Sequence, residues 1–220
     1  MKIFIDAGHG GKDPGATGNS LVEKNLNLKV ALLLEARLKH FGFEVMLSRY
    51  SDEDVSLQQR TDKANAWGAY FFLSIHHNGF TDPAARGIET YYSVRDGDSK
   101  LLTEKIQNAL CKVFSMSDRG AKARINSSGK DWFHVLRESK APVAMITETG
   151  FVTSPFDAET LKRLDFPETQ AEILAVVIKA AYGQDVPEIE KLQSQVNELT
   201  DRVDRLYKFL GDASKIIPPK

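Results

Sequence analysis

Two hydrophobic periodicities alternate along the first 182 residues of the chain. Short runs rich in Val, Ile and Phe are followed by longer segments in which apolar residues recur every three or four positions. Short apolar runs are typical of buried strands, and the longer spacing is typical of helices with one buried face. This alternation predicts an α/β domain over residues 1–182.

The pattern predicts five strands and four helices within that domain. Strands are expected over residues 2–7, 43–49, 70–75, 87–93 and 144–148. Helices are expected over residues 22–40, 57–67, 100–114 and 170–182. Residues 8–20, which read GHGGKDPGATGNS, carry no core pattern and are expected to form a glycine-rich loop.

The composition of the chain changes after residue 182. Residues 183–187 are expected to be a linker, residues 188–211 a heptad-repeat helix and residues 212–220 a disordered tail. The apolar positions of the helix alternate in steps of three and four, and they are Ile189, Leu192, Val196, Leu199, Val203, Leu206 and Leu210. β-branched residues at the a positions with Leu at d favour a parallel two-stranded coil, hence a homodimer through residues 189–210. An amphipathic helix folded back on the domain is the alternative.

Composition and charge narrow the classes of function. The chain has 220 residues, of which 42% are hydrophobic, enough for a sizeable core. Its net charge of −1 gives no indication of nucleic-acid binding. The single cysteine, Cys111, excludes an internal disulfide and a cysteine-based zinc cage. It is expected to be a small buried residue on a helix.

The N-terminal residues predict where the protein is made. Residues 1–10 form a predicted strand that runs straight into His9, and they contain neither a basic-then-apolar leader nor a cleavage site. No apolar run approaches the roughly 18 residues of a membrane helix. We therefore expect synthesis in the cytoplasm without a signal peptide and no insertion into a membrane. If the substrate lies outside the cell, another agent must carry the protein to it.

Three residues with metal-ligand chemistry occupy suggestive positions. His9 ends the first predicted strand between two glycines, Glu23 opens the first helix, and His76 ends the run YFFLSIHHN. Two imidazoles and one carboxylate bind a divalent metal and leave a coordination position for water, which indicates a hydrolase. Taken alone, Glu23 could equally be a favourable charge at a helix N-terminus. Cobalt or manganese would suit the same ligands as zinc.

The run SIHHN leaves the choice between two histidines open. Adjacent residues of an extended segment point to opposite sides, so only one of His76 and His77 can share a site with His9. Strand alternation does not identify which one. The other histidine would support the ligands from behind, contact the substrate, or be merely exposed.

A fourth candidate, Glu148, follows a predicted strand and precedes a glycine in ITETGF. A carboxylate there could take a proton from water and return it to a leaving amine. The alternative is a buried glutamate paired with Arg119, Arg124 or Arg137. Like His9 and His76, Glu148 is expected at the carboxyl end of a strand, where ligands bind in open α/β sheets.

Three further residues are weaker candidates. His134, in DWFHVLR, could line the cleft and stabilise an oxyanion or bind substrate. Arg137 and Asn78 are further possible contacts to the substrate or supports for the metal ligands.

Several spaced motifs over residues 1–182 point to one family. In chain order they read IDAGHGGKDPGA, EKNLN, LSR, LQQRTDKAN, SIHHN, RGIETYY, RGAK, VLR and TETGFVTSP. Together they resemble the zinc-dependent N-acetylmuramoyl-L-alanine amidases of the family-3 type, found among autolysins, spore-wall enzymes and phage endolysins. The resemblance implies a twisted, mostly parallel sheet of about six strands flanked by helices.

The resemblance also implies the chemistry. His9, Glu23 and His76 would bind one zinc ion, and Glu148 would be the catalytic carboxylate. The family's histidine in this motif corresponds to His76, which makes His77 a departure because the next residue is usually small. The implied reaction is hydrolysis of the amide between N-acetylmuramic acid and L-alanine in peptidoglycan.

Two expectations about the setting follow. Without a leader, a phage or prophage endolysin released by a holin, or an autolysin that acts at cell lysis, is the preferred setting. Some family members carry an inserted helix that plugs the zinc cleft; no such insertion is evident over residues 79–120, so an open cleft is expected. Another zinc peptidase acting on wall peptides, or a non-catalytic wall-binding or scaffolding protein, are the alternatives.

Overall fold

A computed structural model of the chain describes residues 1–95 and 97–183. The strands are β1 Lys2–Ala7, β2 Thr17–Gly18, β3 Leu21–Val22, β4 Glu44–Leu47, β5 Phe71–Asn78, β6 Ile88–Tyr92, β7 Asp118–Lys122 and β8 Val143–Phe151. The helices are α1 Glu23–His40, α2 Leu57–Trp67, α3 Gly97–Phe114, α4 His134–Glu138, α5 Pro155–Leu161 and α6 Phe166–Tyr182. Apart from its first residue the predicted linker, together with the heptad helix and the tail, lies outside the described residues.

Six of the strands form one sheet in the order β4-β1-β5-β8-β6-β7. The pairs from β4 to β8 are parallel, β6 runs antiparallel to β8, and β7 is parallel to β6. The expected fold class, a mostly parallel sheet of about six strands flanked by helices, is confirmed. Because β6 is reversed, its first residues lie at the same edge as the last residues of β5 and β8.

Helices cover both faces of the sheet. On one face, α2 and α4 pack on a cluster that includes Phe4, Phe72 and Ile146. On the other face, α3 and α6 meet through Phe114 and Phe166, whose ring centroids lie 4.8 Å apart. Burial of these apolar side chains on both faces supplies the main driving force for folding.

Helix α2 shows how local sequence sets an element. Ser56 accepts a hydrogen bond from the backbone N–H of Gln59, and the Gln59 side chain accepts one from the N–H of Ser56, forming a capping box. The helix ends at Gly68, whose φ of 72° is the left-handed conformation that glycine tolerates. The predicted helix over residues 57–67 therefore has the observed bounds.

The strands at the centre are longer than predicted. β5 reaches Asn78 and β8 reaches Phe151, so His76 and Glu148 lie inside strands instead of following them. The expectation that these residues come after their strands was wrong, although both lie towards the carboxyl ends.

The sequence pattern also missed several short elements. β2 and β3 form a two-stranded hairpin inside and just after the glycine-rich loop. β7 has the sequence DRGAK and lies at the sheet edge, where apolar residues are not required. α4 and α5 have five and seven residues, too few to show a helical period.

Within the described part of the chain, no helix combines the length and apolar character needed to cross a bilayer.

Candidate metal centre

Three side chains from separate parts of the chain meet at the carboxyl edge of the sheet. His9 lies in the loop after β1, Glu23 is the first residue of α1, and His76 belongs to β5. Oε1 of Glu23 lies 2.8 Å from Nδ1 of His76 and 3.2 Å from Nε2 of His9. The two imidazole rings are nearly perpendicular, with centroids 4.9 Å apart. One ligand atom from each residue falls within 4.8 Å of the others.

The charges of this group are strongly coupled. Burial alone would raise the pKa of Glu23, but hydrogen bonds and charges from His76 and His9 hold it well below its usual range. Burial lowers the pKa of His9, yet Glu23 and Asp13 together raise it to about 9. The carboxylates around His9 favour a positive charge at this point, which a bound divalent metal would also supply.

The donor set and its surroundings fit a zinc ion. Two nitrogens and one carboxylate oxygen are its usual ligands at a hydrolytic site. Both histidines are partly exposed, so a metal and a substrate can reach them, whereas Glu23 is 3% exposed. A methyl group added at Gly8 would lie 2.3 Å from the His76 ring. One at Gly15 would lie 2.6 Å from Oε2 of Glu23, so the backbone packs closely around the ligands.

Asp13 fixes the ring of His9, and the sequence pattern did not indicate it. Its Oδ2 lies 2.7 Å from Nδ1 of His9, and its Oδ1 accepts from the N–H of Gly15 at 3.0 Å. This leaves Nε2 of His9 directed at Glu23. A carboxylate behind a ligating histidine orients the ring and raises its basicity.

Two buried arginines hold the backbone that carries His9. Arg49 donates to the carbonyls of Ala7 and Gly8 at 3.0 Å each, and to that of Lys24 at 2.7 Å. It thus ties the loop after β1 to the start of α1, beside Glu23. The motifs LSR and LQQR contain these arginines, but nothing in their spacing revealed the bonds.

The second arginine, Arg60 of α2, donates to the carbonyls of His9 at 2.8 Å and Ala7 at 2.7 Å. It also forms a buried ion pair with Asp6 at 2.6 Å. Asp6 in turn accepts from the hydroxyl of Ser74 in β5, so one network joins both strands that carry the histidines.

His77 points to the opposite side of β5 and is fully buried, so the expectations that it is exposed or touches substrate were wrong. Its Nδ1 lies 2.7 Å from Oδ1 of Asn27, and its Nε2 lies 3.0 Å from Oε1 of Gln170. Burial lowers its pKa to about 4, which keeps the ring neutral. Asn27 also donates to Oε1 of Glu23 at 3.3 Å, so His77 holds Asn27 against that carboxylate from behind.

Glu148 lies beside the metal group, one strand away. It is the register partner of His76 across β5 and β8. Its Oε2 is buried and has no hydrogen-bond partner within residues 1–95 and 97–183. Burial, followed by the charges of Glu23 and Glu89, raises its pKa well above the usual value. A carboxyl group with a raised pKa binds a proton more readily than an ordinary carboxylate, which suits it to proton transfer.

The alternative for Glu148, a pair with arginine, does not occur among the described residues. Arg119 pairs with Glu89 at 2.9 Å. The Arg124 guanidinium lies 4.5 Å from the centroid of the Trp132 ring. Arg137 donates to the carbonyls of Asp131 and Trp132 and pairs with Glu138.

Of the weaker candidates, Asn78 contacts Glu89, whereas His134 makes no described side-chain hydrogen bond through Nε2. Asn78 donates to Oε1 of Glu89 at 2.8 Å and lies at the end of β5. His134 is the first residue of α4, and its Nε2 is buried without a partner among the described residues.

Glu89 is a residue of this site that the sequence pattern did not single out. It is 6% exposed and is the register partner of Glu148. Its Oε2 accepts from Nε of Arg119 at 2.9 Å and from Nζ of Lys122 at 2.6 Å. The alternation of RGIETYY could have revealed it, because Glu89 and Tyr91 fall on one face of a strand.

A cavity of about 560 Å³ opens beside the histidines. It lies between the loop after β1 and the start of α2, and its walls include His9, His76, Asp13 and Asp54. Within residues 80–95 and 97–120, no side chain joins the three metal-site residues. The expected open cleft stays a prediction.

Comparison with known proteins identifies the relatives of this fold. Residues 3–180 match the family model described as N-acetylmuramoyl-L-alanine amidase. The sporulation-specific N-acetylmuramoyl-L-alanine amidase of Bacillus subtilis (strain 168) is 44% identical over 186 residues, which cover 83% of this chain and 69% of that protein. The endolysin of Bacillus phage SPP1 is 35% identical, covering 77% of this chain and 62% of that protein.

A solved structure agrees with these matches. The catalytic domain of CwlV, an N-acetylmuramoyl-L-alanine amidase from Bacillus (Paenibacillus) polymyxa var. colistinus, superposes with a TM-score of 0.72 at 35% identity. The match covers 81% of this chain and 96% of that domain.

Proposed function

The chain belongs to the N-acetylmuramoyl-L-alanine amidase family, and we propose that it is a zinc-dependent hydrolase that cuts the amide between N-acetylmuramic acid and L-alanine in peptidoglycan. The observation that carries this proposal is the meeting of His9, Glu23 and His76 beside Glu148. Membership of the family supports peptidoglycan as the substrate. The arrangement of the four residues supports metal-assisted hydrolysis.

His9, Glu23 and His76 are the proposed metal ligands, through Nε2, a carboxylate oxygen and Nδ1 respectively. Asp13 and Asn27 hold two of these ligands in place by the contacts described above. When bound, zinc polarises the scissile carbonyl and makes water a nucleophile near neutral pH. The three residues leave the side facing the cleft open to solvent and substrate.

Glu148 is the proposed general base and acid. Its Oε2 has no protein partner among the described residues, so it is available to hold a proton taken from the attacking water. The same oxygen can return this proton to the nitrogen of L-alanine as the amide breaks, which releases a neutral amine. Because its pKa is raised, Glu148 takes the proton from water more readily than an ordinary carboxylate would. It can then donate that proton to the nitrogen of L-alanine.

We also propose that the protein acts in wall lysis, as a phage or prophage endolysin or as an autolysin. The relatives named above include a sporulation-specific amidase and a phage endolysin, which supports wall hydrolysis and either setting.

The heptad region remains a separate proposal, in which residues 188–211 form a dimerising helix after the catalytic domain. Sedimentation of the full chain and of a chain ending before residue 188 tests it. A dimer that becomes a monomer on truncation is expected, and equal monomer masses would contradict it.

Digestion of purified cell walls tests the proposed activity. We expect the zinc-loaded protein to release peptides with a free amino group on L-alanine while the glycan strands stay intact. Another zinc peptidase would instead expose amino groups elsewhere in the stem. A non-catalytic wall-binding protein would sediment with the walls and release nothing.

A further inference from the structure

Two cations lie near Glu148, on the side of the sheet where β6 and β7 follow β8. Arg119 and Lys122, both on β7, reach Oε2 of Glu89, and their side chains are 37% and 38% exposed. A single carboxylate holds two cations here, so the group keeps a net positive charge. Arg124 is exposed and has no acidic partner within the described part of the chain.

These cations keep donors for a ligand. The Lys122 ammonium has three N–H groups, and Glu89 takes one of them. The Arg119 guanidinium has five, of which Nε–H goes to Glu89 and one Nη1–H makes a long contact to the carbonyl of Arg86 at 3.4 Å. Glu89 is nearly buried and holds both cations in place. The remaining N–H groups of Arg119 and Lys122 can bind a ligand.

The cavity on the other side of the metal group has mixed charge. Its walls include the carboxylates of Asp13 and Asp54 and the guanidinium of Arg60, which pairs with Asp6. Arg119 and Lys122 do not line that cavity, and their donors attract a negatively charged part of a substrate towards β7.

We propose that Arg119 and Lys122, oriented by Glu89, bind the free α-carboxylate of the second residue of the peptide stem; this rests on the amidase function proposed above. In peptidoglycan the second residue is D-glutamate, which is linked to the third residue through its γ-carboxyl group. Its α-carboxyl group is either a free carboxylate or a carboxamide. Charge-assisted hydrogen bonds distinguish the carboxylate from the neutral carboxamide. The subsite makes the stem with the free carboxylate the preferred substrate.

The spacing suits this assignment. Glu89 and Glu148 are register partners on neighbouring strands, whose backbones lie about 4.8 Å apart. Arg119 and Lys122 lie on β7, one strand further on and so roughly 10 Å from the backbone of β8, and their side chains reach back to Glu89. An extended peptide covers roughly 7 Å in two residues, which carries the second residue of the stem to this point.

Two soluble muropeptides test the proposal with the zinc-loaded full chain. Both carry the disaccharide and L-alanine; one continues with γ-linked D-glutamate and the other with its α-carboxamide. We expect the wild type to have about a tenfold higher kcat/KM for the carboxylate form, mainly through KM. Lys122→Met and Arg119→Gln should each reduce this ratio, and the double variant should bring it close to one.

Lys105→Met is the matched control, because this exposed lysine lies on α3 in the other layer of helices. It should keep the wild-type ratio.

The wild type alone gives the first decisive result. If its kcat/KM is equal for both muropeptides, the subsite proposal is wrong while the amidase function is unaffected. A ratio that survives in the double variant would overturn it as well. A folded, zinc-loaded wild type that cuts neither muropeptide would instead refute the proposed function, and the subsite with it.

Discussion

Glu89 and Glu148 are direct register partners across β6 and β8, and their surroundings push their pKa values in opposite directions. Burial raises the pKa of Glu89, but hydrogen bonds from Lys122 and Arg119 outweigh it and keep the group ionised. Glu148 has no such partner, and burial together with the charges of Glu23 and Glu89 raises its pKa. Paired acids with divergent pKa values are typical of sites where one carboxyl carries a proton.

The first prediction concerns the pH dependence of catalysis. Glu89→Gln removes a negative charge next to Glu148 and frees two cations, and both changes lower the pKa of Glu148. Because the proposed base must be ionised, the acidic limb of the kcat/KM profile should move to lower pH. The profile of Glu159→Gln, an exposed glutamate on α5, should coincide with that of the wild type. An unchanged limb in Glu89→Gln would contradict the assignment of Glu148 as the base.

The second prediction concerns stability of the metal-free protein. A carboxyl whose pKa is raised by folding binds its proton more tightly in the folded state. Above the ordinary pKa of 4.5, the unfolded chain ionises first, so Glu148 makes the folded state less stable as pH rises towards its raised value. Glu148→Gln removes this penalty. The Tm of the variant relative to wild type should therefore increase as pH rises from the ordinary pKa of 4.5 towards the raised pKa of Glu148.

Thermal unfolding of both proteins across that range, after removal of metal, gives the comparison. A Tm difference that does not change with pH would show that Glu148 ionises normally in the folded protein.

The third prediction concerns Asp13 and metal affinity. Asp13→Asn keeps an oxygen for the N–H of Gly15 but loses the charge behind Nδ1 of His9. Loss of such a carboxylate weakens metal binding by about 10–100-fold. Competition with a chelator measures the change.

Asp82→Asn is the control variant. Asp82 also accepts a hydrogen bond from a backbone N–H, that of Ala84, but it lies in an exposed loop. Equal zinc affinities of the two variants would refute the role of Asp13.

The fourth prediction concerns the arginine that joins the metal loop to α1. Arg49→Met removes the donor to the carbonyls of Ala7, Gly8 and Lys24. Unsatisfied buried groups cost about 1–3 kcal/mol each, and other donors still reach Ala7 and Gly8. We expect the free energy of unfolding to fall by about 3 kcal/mol and zinc binding to weaken.

Urea denaturation and chelator competition test that change. Arg37→Met, which breaks exposed pairs with Glu168 and Glu172, should lower the free energy of unfolding by less than about 1 kcal/mol. If Arg49→Met behaves like Arg37→Met in both measurements, the arginine does not organise the site.

The helices and strands with a clear hydrophobic period could be predicted from the sequence. So could the reactive side chains that lie near the carboxyl ends of strands. The helix predicted over residues 57–67 has the observed bounds, and the structure shows a capping box at its start and a left-handed glycine after its end. Residue type and position select His9 and Glu23, the family resemblance selects His76 over His77, and the structure brings the three together. Their roles as ligands stay a proposal, as does that of Glu148.

Features that depend on tertiary contacts could not be predicted. The burial of His77 follows from Asn27 on α1 and Gln170 on α6, which are far from it in sequence. The strand β7 has few apolar residues because it lies at an edge, so no period revealed it. The support that Asp13 and Arg49 give to the metal loop likewise consists of contacts that spacing does not encode.

We propose that His9, Glu23 and His76 hold one metal ion on which amide hydrolysis depends. The most direct test measures zinc per chain together with the amino groups released from cell walls, for the wild type, His76→Ala and Glu148→Gln. We predict one zinc and new L-alanine amino termini for the wild type, neither for His76→Ala, and zinc with at least a hundredfold slower hydrolysis for Glu148→Gln. A metal-stripped wild type that hydrolyses walls at the full rate would contradict the claim.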